Sequence, residues 1–175
     1  MICEKVNFDW DYDWFVDQPY SEEPTSCIKH QVDEMKDIHD RHGGFPRTYG
    51  PKNTMIHQLW YDRNQIDYDK LGEQLQMEVV TVSTVKQPPG QVIPFHRDTF
   101  FQIKKRYPDD KRTMVRANMF LQDWKMGHFM QFEDDVVVKW KAGDGYLVDS
   151  TNEHLGANAG FEPKYTLQVS GFLQR

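Results

Sequence analysis

At 175 residues with a formal net charge of −6, the chain is sized for one domain with a substantial core, and its acidity argues against nucleic acid as the main partner. No stretch approaches the ~18 consecutive apolar residues of a membrane span, and the N-terminus shows no apolar leader. Cys3 and Cys27 fit neither a zinc nor a disulfide pattern, so free thiols in a reducing, cytoplasmic setting are expected.

Aromatic residues make up 14% of the chain, more than packing alone usually requires, and suit a walled pocket. Residues 1–20 are acidic and aromatic together (FDWDYDWFVDQPY) and read as an N-terminal strand or arm pinned by Trp10, Trp14 and Phe15, the alternative being a substrate lid. A helix is expected next: Ile28, Val32, Met35, Ile38 and His42 recur at three- and four-residue steps between Glu22-Glu23-Pro24 and Gly43-Gly44. Its histidines, His30, His39 and His42, are expected to face solvent or cap its end. Residues 45–65 mix turn signals with a short apolar run at 55–60 that suits a strand. A second short helix is expected over 67–76, with Leu71 and Leu75 facing inward.

From Met77 onward the character changes to runs rich in Val, Thr, Phe and Tyr, broken by Pro, Gly and Asp turns: MEVVTVSTV, QVIPFHRDTFFQI, TMVRANMFLQDW, HFMQFE, VVVKWKA, GYLVDST and YTLQVSGFL. About seven short strands at near-regular spacing describe an all-β sandwich or barrel, with the leading helices covering one outer face. The expected organisation is a single domain in which 1–76 supports a core of 77–175.

Two of these strands suggest which face is the interior. In 113–122, Val115, Ala117, Met119 and Leu121 form an apolar face, against Met114, Arg116, Asn118, Phe120 and Gln122. In 163–173, Tyr165, Leu167 and Val169 alternate with Lys164, Thr166, Gln168 and Ser170. Solvent on the polar face is the default for an antiparallel sheet. If helices cover the apolar face, however, the polar face lines the inside, and a polar lining means a wet or ligand-filled cavity.

Residues 88–98 (PPGQVIPFHRD) carry the chemistry. In an extended segment residues i and i+2 share a face, so His96 and Asp98 project together while Arg97 points away. One nitrogen and one oxygen ligand side by side are two-thirds of the 2-His-1-carboxylate triad that holds non-haem Fe(II) with open positions. Alone, such a pair equally suits a surface hydrogen bond. Residues 143–164 (GDGYLVDSTNEHLGANAGFEPK) offer a turn, a strand and a loop before His154, which has no helical periodicity to place it in a core. Lys164 lies ten positions further on, and Thr166 shares its strand face.

The combination of His96-x-Asp98, distal His154 and a basic residue ten positions later resembles the Fe(II)/2-oxoglutarate-dependent dioxygenases. In finer pattern PPGQVIPFH resembles the aspartyl/asparaginyl β-hydroxylase and free-proline hydroxylase branch. That branch's later blocks have counterparts in order at 127–130, 140–143, 149–154 and Asn158; the similarity spans about 77–173. The resemblance implies a double-stranded β-helix, a jelly-roll relative of the cupins. It implies metal ligation by His96, Asp98 and His154, and 2-oxoglutarate bound by Lys164 and Thr166 through a charge-assisted hydrogen bond. Arg116 and Asn118 become candidate contacts to that cosubstrate. It further implies Fe(II), O2 and, as reductant, ascorbate, in a hydroxylation of a free or peptidyl amino acid that yields succinate and CO2. The partner is then a small molecule or peptide, not a membrane or nucleic acid.

The chain departs from the branch in several places. A serine expected at the position of Val85 is missing, so Thr166 or Thr84 would have to replace it. Most β-hydroxylases of the branch lack the carboxylate ligand, whereas Asp98 is present here, as in the free-proline hydroxylases. The stretch 100–112 (FFQIKKRYPDDKR) is long for its place; it is either a solvated charged face or a lid with Phe100, Phe101 and Tyr107 as substrate contacts. The alternatives are a cupin-like metal-binding module or isomerase without oxygen chemistry, a nucleic-acid oxidative demethylase and an inactive scaffold. The demethylase would need two late arginines, where this chain has Lys164 and the terminal Arg175.

Overall fold

The structure, a computed structural model, describes residues 1–30 and 33–174, apart from the side chains of Lys29 and His30. Val32 of the expected first helix and Arg175 lie outside the described residues, as does the side chain of His30. The order is β1 (Cys3–Asn7), α1 (Tyr12–Val16), β2 (Thr25–Ser26), a 3-10 turn (Cys27–His30), α2 (Lys36–Arg41), β3 (Met55–Tyr61), α3 (Tyr68–Leu75), β4 (Met77–Gln87) and β5 (Gln91–His96). Then follow α4 (Phe101–Arg106), β6 (Met114–Phe120), β7 (His128–Phe132), β8 (Asp135–Val137), β9 (Asp144–Asp149), β10 (His154–Asn158) and β11 (Lys164–Leu173).

The strands form two antiparallel sheets, a double-stranded β-helix of the jelly-roll kind. The larger runs β1-β9-β6-β11-β4-β3-β2 and the smaller β5-β10-β7-β8. In the larger sheet the alternation of apolar and polar residues sorts two faces. Val115, Ala117, Met119, Leu147, Leu167 and Val169 turn outward beneath Leu71 and Leu75 of α3 and Phe15 of α1, in one buried cluster. The opposite face carries Thr81, Gln87, Arg116, Asn118, Thr166, Gln168 and Ser170, all lining a cavity between the sheets. The polar face is therefore the inside. In β4 the phase changes once: Ser170 pairs Thr81 and Gly171 pairs Val79, leaving Val80 as an extra residue on the cavity side.

Local signals start and stop the outer helices. Asp11 Oδ1 accepts from the Trp14 N–H at 3.2 Å, and Asp67 Oδ1 from the Lys70 N–H at 3.0 Å, each satisfying an otherwise orphaned donor. The N-terminal arm is a strand and a helix fixed in place: β1 pairs with β9, and Phe15 packs edge-on against Trp14 and Tyr61. Residues 22–43 do not form one helix. Their apolar periodicity is divided between the 3-10 turn and the six-residue α2, which packs on β5. His39 is consequently buried with Ile38, its Nε2 3.2 Å from the Phe95 carbonyl, and does not face solvent.

A second cluster closes one end of the sandwich, with Phe120 stacked on Trp140 at 4.0 Å and Phe132 on Tyr146 at 4.6 Å. Two glycines of the ordered blocks prove to be there for backbone reasons. Gly127 (φ +87°) and Gly143 (φ +91°) are both left-handed, and a Cβ on either would sit 2.3 Å from Gly160 N or Tyr12 Oη respectively.

Candidate functional site

His96 closes β5, His154 opens β10, and the two are direct partners across the ladder. The register slips just beyond this pair, so that Gly156 faces Ile93; the slip falls at Pro94, which has no N–H to give the ladder. The freed Pro94 carbonyl lies 2.8 Å from His96 Nδ1. On the partner strand, His154 Nδ1 lies 3.4 Å from the Asn152 carbonyl. Each carbonyl can only accept, which assigns the proton to Nδ1 and leaves both Nε2 lone pairs open. Asp98 follows two residues after the strand ends. Its Oδ2 is 3.8 Å from His154 Nε2, and the ligand atoms of His96, Asp98 and His154 all lie within 4.8 Å of one another.

Asp98 is 4% exposed, and its two oxygens differ. Oδ1 accepts from Arg116 Nη1 in a buried ion pair, and Arg116 Nε donates to Ser170 Oγ at 2.8 Å. Oδ2 is buried without a partner among the described residues. An orphaned carboxylate oxygen costs desolvation energy unless something occupies the space before it. Burial by itself would push the Asp98 carboxyl up; Arg116, then His154 and His96, more than offset that and hold it below its ordinary value. Burial is the main cause that pushes His96 down and His154 down to about 3, and in His154 the neighbouring His96 adds to it. The cluster thus presents two neutral imidazoles and one carboxylate, a nitrogen–nitrogen–oxygen donor set that fits Fe(II).

These groups open onto a cavity of about 360 Å³. Lys164 lies in its wall, 3% exposed, with Nζ donating to the carbonyls of Phe129 (2.9 Å) and Ala157 (3.3 Å) and lying 3.4 Å from Met130 Sδ. Burial pushes its ammonium down to about 7. Thr166 stands beside Val85 on the cavity side, whereas the Thr84 hydroxyl is bonded to Tyr61 Oη at 2.8 Å on the outer face. Asn118 Nδ2 is buried with no partner among the described residues, while its Oδ1 accepts from Gln168 Nε2 at 3.3 Å. All seven residues singled out in the sequence, His96, Asp98, Arg116, Asn118, His154, Lys164 and Thr166, thus line one cavity.

The rim answers the question of the lid in part. No residue of 1–20 lines the cavity, whereas Phe100, Phe101, Gln102 and Ile103 do. Phe101 is 66% exposed at the mouth; Tyr107 instead packs edge-on against Phe172 at 5.6 Å. Sequence reasoning missed Trp60, half exposed at the mouth from β3, and Ser170 as the anchor of Arg116. Trp60 had a signal, its place in a short apolar run; the pairing of Ser170 with Arg116 depends on a strand register that no local pattern encodes.

No family profile and no curated protein matches the chain in sequence. Solved structures do resemble it in fold. The viral collagen prolyl hydroxylase vCPH from Paramecium Bursaria Chlorella virus-1, in its 2OG complex, is 14% identical over 99% of this chain and 97% of that one, with a TM-score of 0.55. The non-heme alpha ketoglutarate dependent epimerase SnoN from nogalamycin biosynthesis is 11% identical over 86% of this chain and 77% of that one, also at 0.55. SnoN in complex with Fe3+, alpha ketoglutarate and nogalamycin RO aligns at 12% identity over 86% and 78%, with a TM-score of 0.52. Fold and site together define the class: a double-stranded β-helix with a His-x-Asp…His cluster inside its barrel.

Proposed function

We propose that this protein is an Fe(II)/2-oxoglutarate-dependent dioxygenase that hydroxylates a free or peptidyl amino acid, with release of succinate and CO2. The observation that carries the reading is the donor set itself: the half-buried His96 and buried His154 as neutral imidazoles and the orphaned Asp98 Oδ2, opening onto a cavity that also holds the buried Lys164. The fold shared with vCPH and SnoN supports it. The finer placement, in the aspartyl/asparaginyl β-hydroxylase and proline hydroxylase branch, rests on the sequence blocks alone.

In this reading His96, Asp98 and His154 hold the metal, and the carbonyls of Pro94 and Asn152 keep both Nε2 atoms free to ligate. Lys164 and Thr166 receive the distal carboxylate of 2-oxoglutarate, Thr166 standing in for the serine that Val85 lacks. Asn118 Nδ2, and the Arg116 Nη2 left over from its bonds to Asp98 and Ser170, supply further donors. Bound iron and 2-oxoglutarate supply the O2 activation, with ascorbate as reductant; the chain orients them and excludes water. The substrate, a small molecule or peptide, enters between Trp60 and Phe101. The setting is cytoplasmic, and neither membrane nor nucleic acid is involved; among the described residues no helix is long and apolar enough to cross a membrane.

The test is succinate formation with Fe(II), ascorbate and a panel of amino acids and peptides. Substrate-dependent succinate is expected, and its absence across the panel overturns the assignment. A cupin-like module without oxygen chemistry would bind metal yet show no 2-oxoglutarate binding that Lys164→Ala abolishes.

A further inference from the structure

Among the described residues Asp98 is gripped from one side only, and that asymmetry bears on how it can ligate. The guanidinium of Arg116 is itself held on three sides. Its Nη1 pairs with Asp98 Oδ1, its Nε donates to the 2%-exposed Ser170 hydroxyl at 2.8 Å, and its Cζ lies 5.6 Å from the centroid of the Phe100 ring. Phe100 is in turn fixed. It is 3% exposed among Val80, Ile103 and Phe172, and its backbone is left-handed (φ +52°), a conformation that costs energy in a non-glycine residue and persists only where surroundings impose it. Phe100 is also only two residues beyond Asp98, so the same turn carries the ligand and the wall behind its clamp.

We infer that Arg116 is a positioning residue for the metal: held by Ser170 and Phe100, it occupies Asp98 Oδ1 and leaves Oδ2 as the single oxygen donor aimed at the two imidazoles. The inference rests on the metal-site reading above and goes beyond a cosubstrate contact for Arg116. An Asp limited to one oxygen, with two histidines, takes three coordination positions and leaves the rest for reactants. A free carboxylate at this point would rotate or chelate through both oxygens.

Charge and position predict opposite results. A cation beside a metal site repels the ion, so if Arg116 acted only through its charge, removing it would tighten metal binding. If it positions Asp98, removal loosens binding. The experiment is calorimetric titration of the purified full chain with Mn(II), without cosubstrate or turnover. Arg116→Gln is expected to weaken Mn(II) about ten- to a hundredfold. Ser170→Ala, which keeps both charges and loses one hydrogen bond, is expected to weaken it about two- to tenfold. In an Asp98→Ala background, Ser170→Ala should cost nothing further, because the residue through which it acts is gone. Substituting Co(II) and recording its d–d spectrum gives a second readout, which should change in Arg116→Gln and Ser170→Ala if the carboxylate rebinds differently. Mn(II) affinity unchanged or tightened in Ser170→Ala overturns the proposal, as does an equal loss with and without Asp98. Should Arg116→Gln fail to fold, Ser170→Ala decides alone. A wild-type chain that binds no Mn(II) or Fe(II) would instead sink the metal-site reading itself.

Discussion

His96 and His154 face each other across the β5–β10 ladder with ring centroids 4.3 Å apart, each Nδ1 turned to a carbonyl of its own strand end. Among the described residues neither ring belongs to an apolar core cluster, and the one aromatic neighbour from such a cluster is Phe132, stacked 5.5 Å from His154. His96→Ala and His154→Ala should therefore abolish Fe(II) and Mn(II) binding by calorimetry and leave the circular dichroism spectrum and a cooperative melt intact. Loss of the fold in both variants would show the pair to be structural.

The same burial sets how the site responds to acid. A proton competes with metal only near the pKa of the metal-free ligand, and burial pushes His96 down and His154 down to about 3. Metal affinity should consequently hold through pH 6, where ordinary histidines begin to charge, and fall only at lower pH. Mn(II) titrations from pH 7.5 to 5 check this. A tenfold loss already between pH 7 and 6 would mean that solvent reaches the imidazoles.

Gly156 offers a way to disturb Lys164 without removing its charge. A Cβ at Gly156 would stand 2.9 Å from Met130 Sδ and 3.1 Å from Lys164 Nζ, both ends of flexible chains that can give way. Gly156→Ala should leave the melting temperature within a few degrees and Mn(II) affinity unchanged, while weakening 2-oxoglutarate about tenfold. An unchanged affinity for 2-oxoglutarate would remove Lys164 from the cosubstrate site.

What the sequence made legible was decided by period. The two-residue alternation in 113–122 and 163–173 is set by side-chain geometry, and it separated a polar from an apolar face before any strand pairing was known; which of them is the inside depended on where the helices pack. Lys164 belongs to that face, whereas the pairing of His96 with Asp98 came separately, from the shared side of residues i and i+2 in an extended 88–98. The first helix failed for the opposite reason: its apolar steps at 28, 35 and 38 are real, but tertiary packing on β5 supports only the short turn of 36–41. The grip of Arg116 on Asp98 joins residues 18 apart, and that of Ser170 on Arg116 residues 54 apart. Such contacts depend on strand register and on where the turn after β5 carries Asp98, neither of which leaves a periodic trace.

Trp60 and Phe101 reach the cavity mouth from β3 and α4 with 49% and 66% of their surfaces exposed, two aromatic faces at the entrance through which a substrate would pass in the proposed reading. In the proposed reading, Trp60→Ala should raise KM for the prime substrate about tenfold with little change in kcat, since it removes binding common to ground and transition states. Steady-state succinate assays measure both constants. KM for 2-oxoglutarate should not move. A fall in kcat alone would place Trp60 in the chemistry and not in substrate capture.

If Lys164 is the cation that meets the cosubstrate, the ligand-free protein and a 2-oxoglutarate complex should respond to pH in opposite directions. Its ammonium titrates at about 7 in the fold against 10.5 for an unburied lysine, because burial penalises the charged form. Below about pH 7 native and unfolded chains both carry the proton and the penalty is fully present; between 7 and 10.5 only the unfolded chain holds it, so stability rises with pH. Ligand-free protein should thus gain stability from pH 7 to 9 relative to Lys164→Met, which lacks this contribution; urea melts at the two pH values read the difference. A dicarboxylate bound at Lys164 reverses the balance, since the anion favours the ammonium. Binding of 2-oxoglutarate should then take up close to one proton at pH 9 and very little at pH 6, with affinity falling as pH rises above about 7. Calorimetry in two buffers of different ionisation enthalpy measures that uptake. If Lys164 is the cation that meets the cosubstrate, uptake at pH 9 disappears in Lys164→Met; if it persists there unchanged, another group carries the proton and Lys164 is a structural lysine.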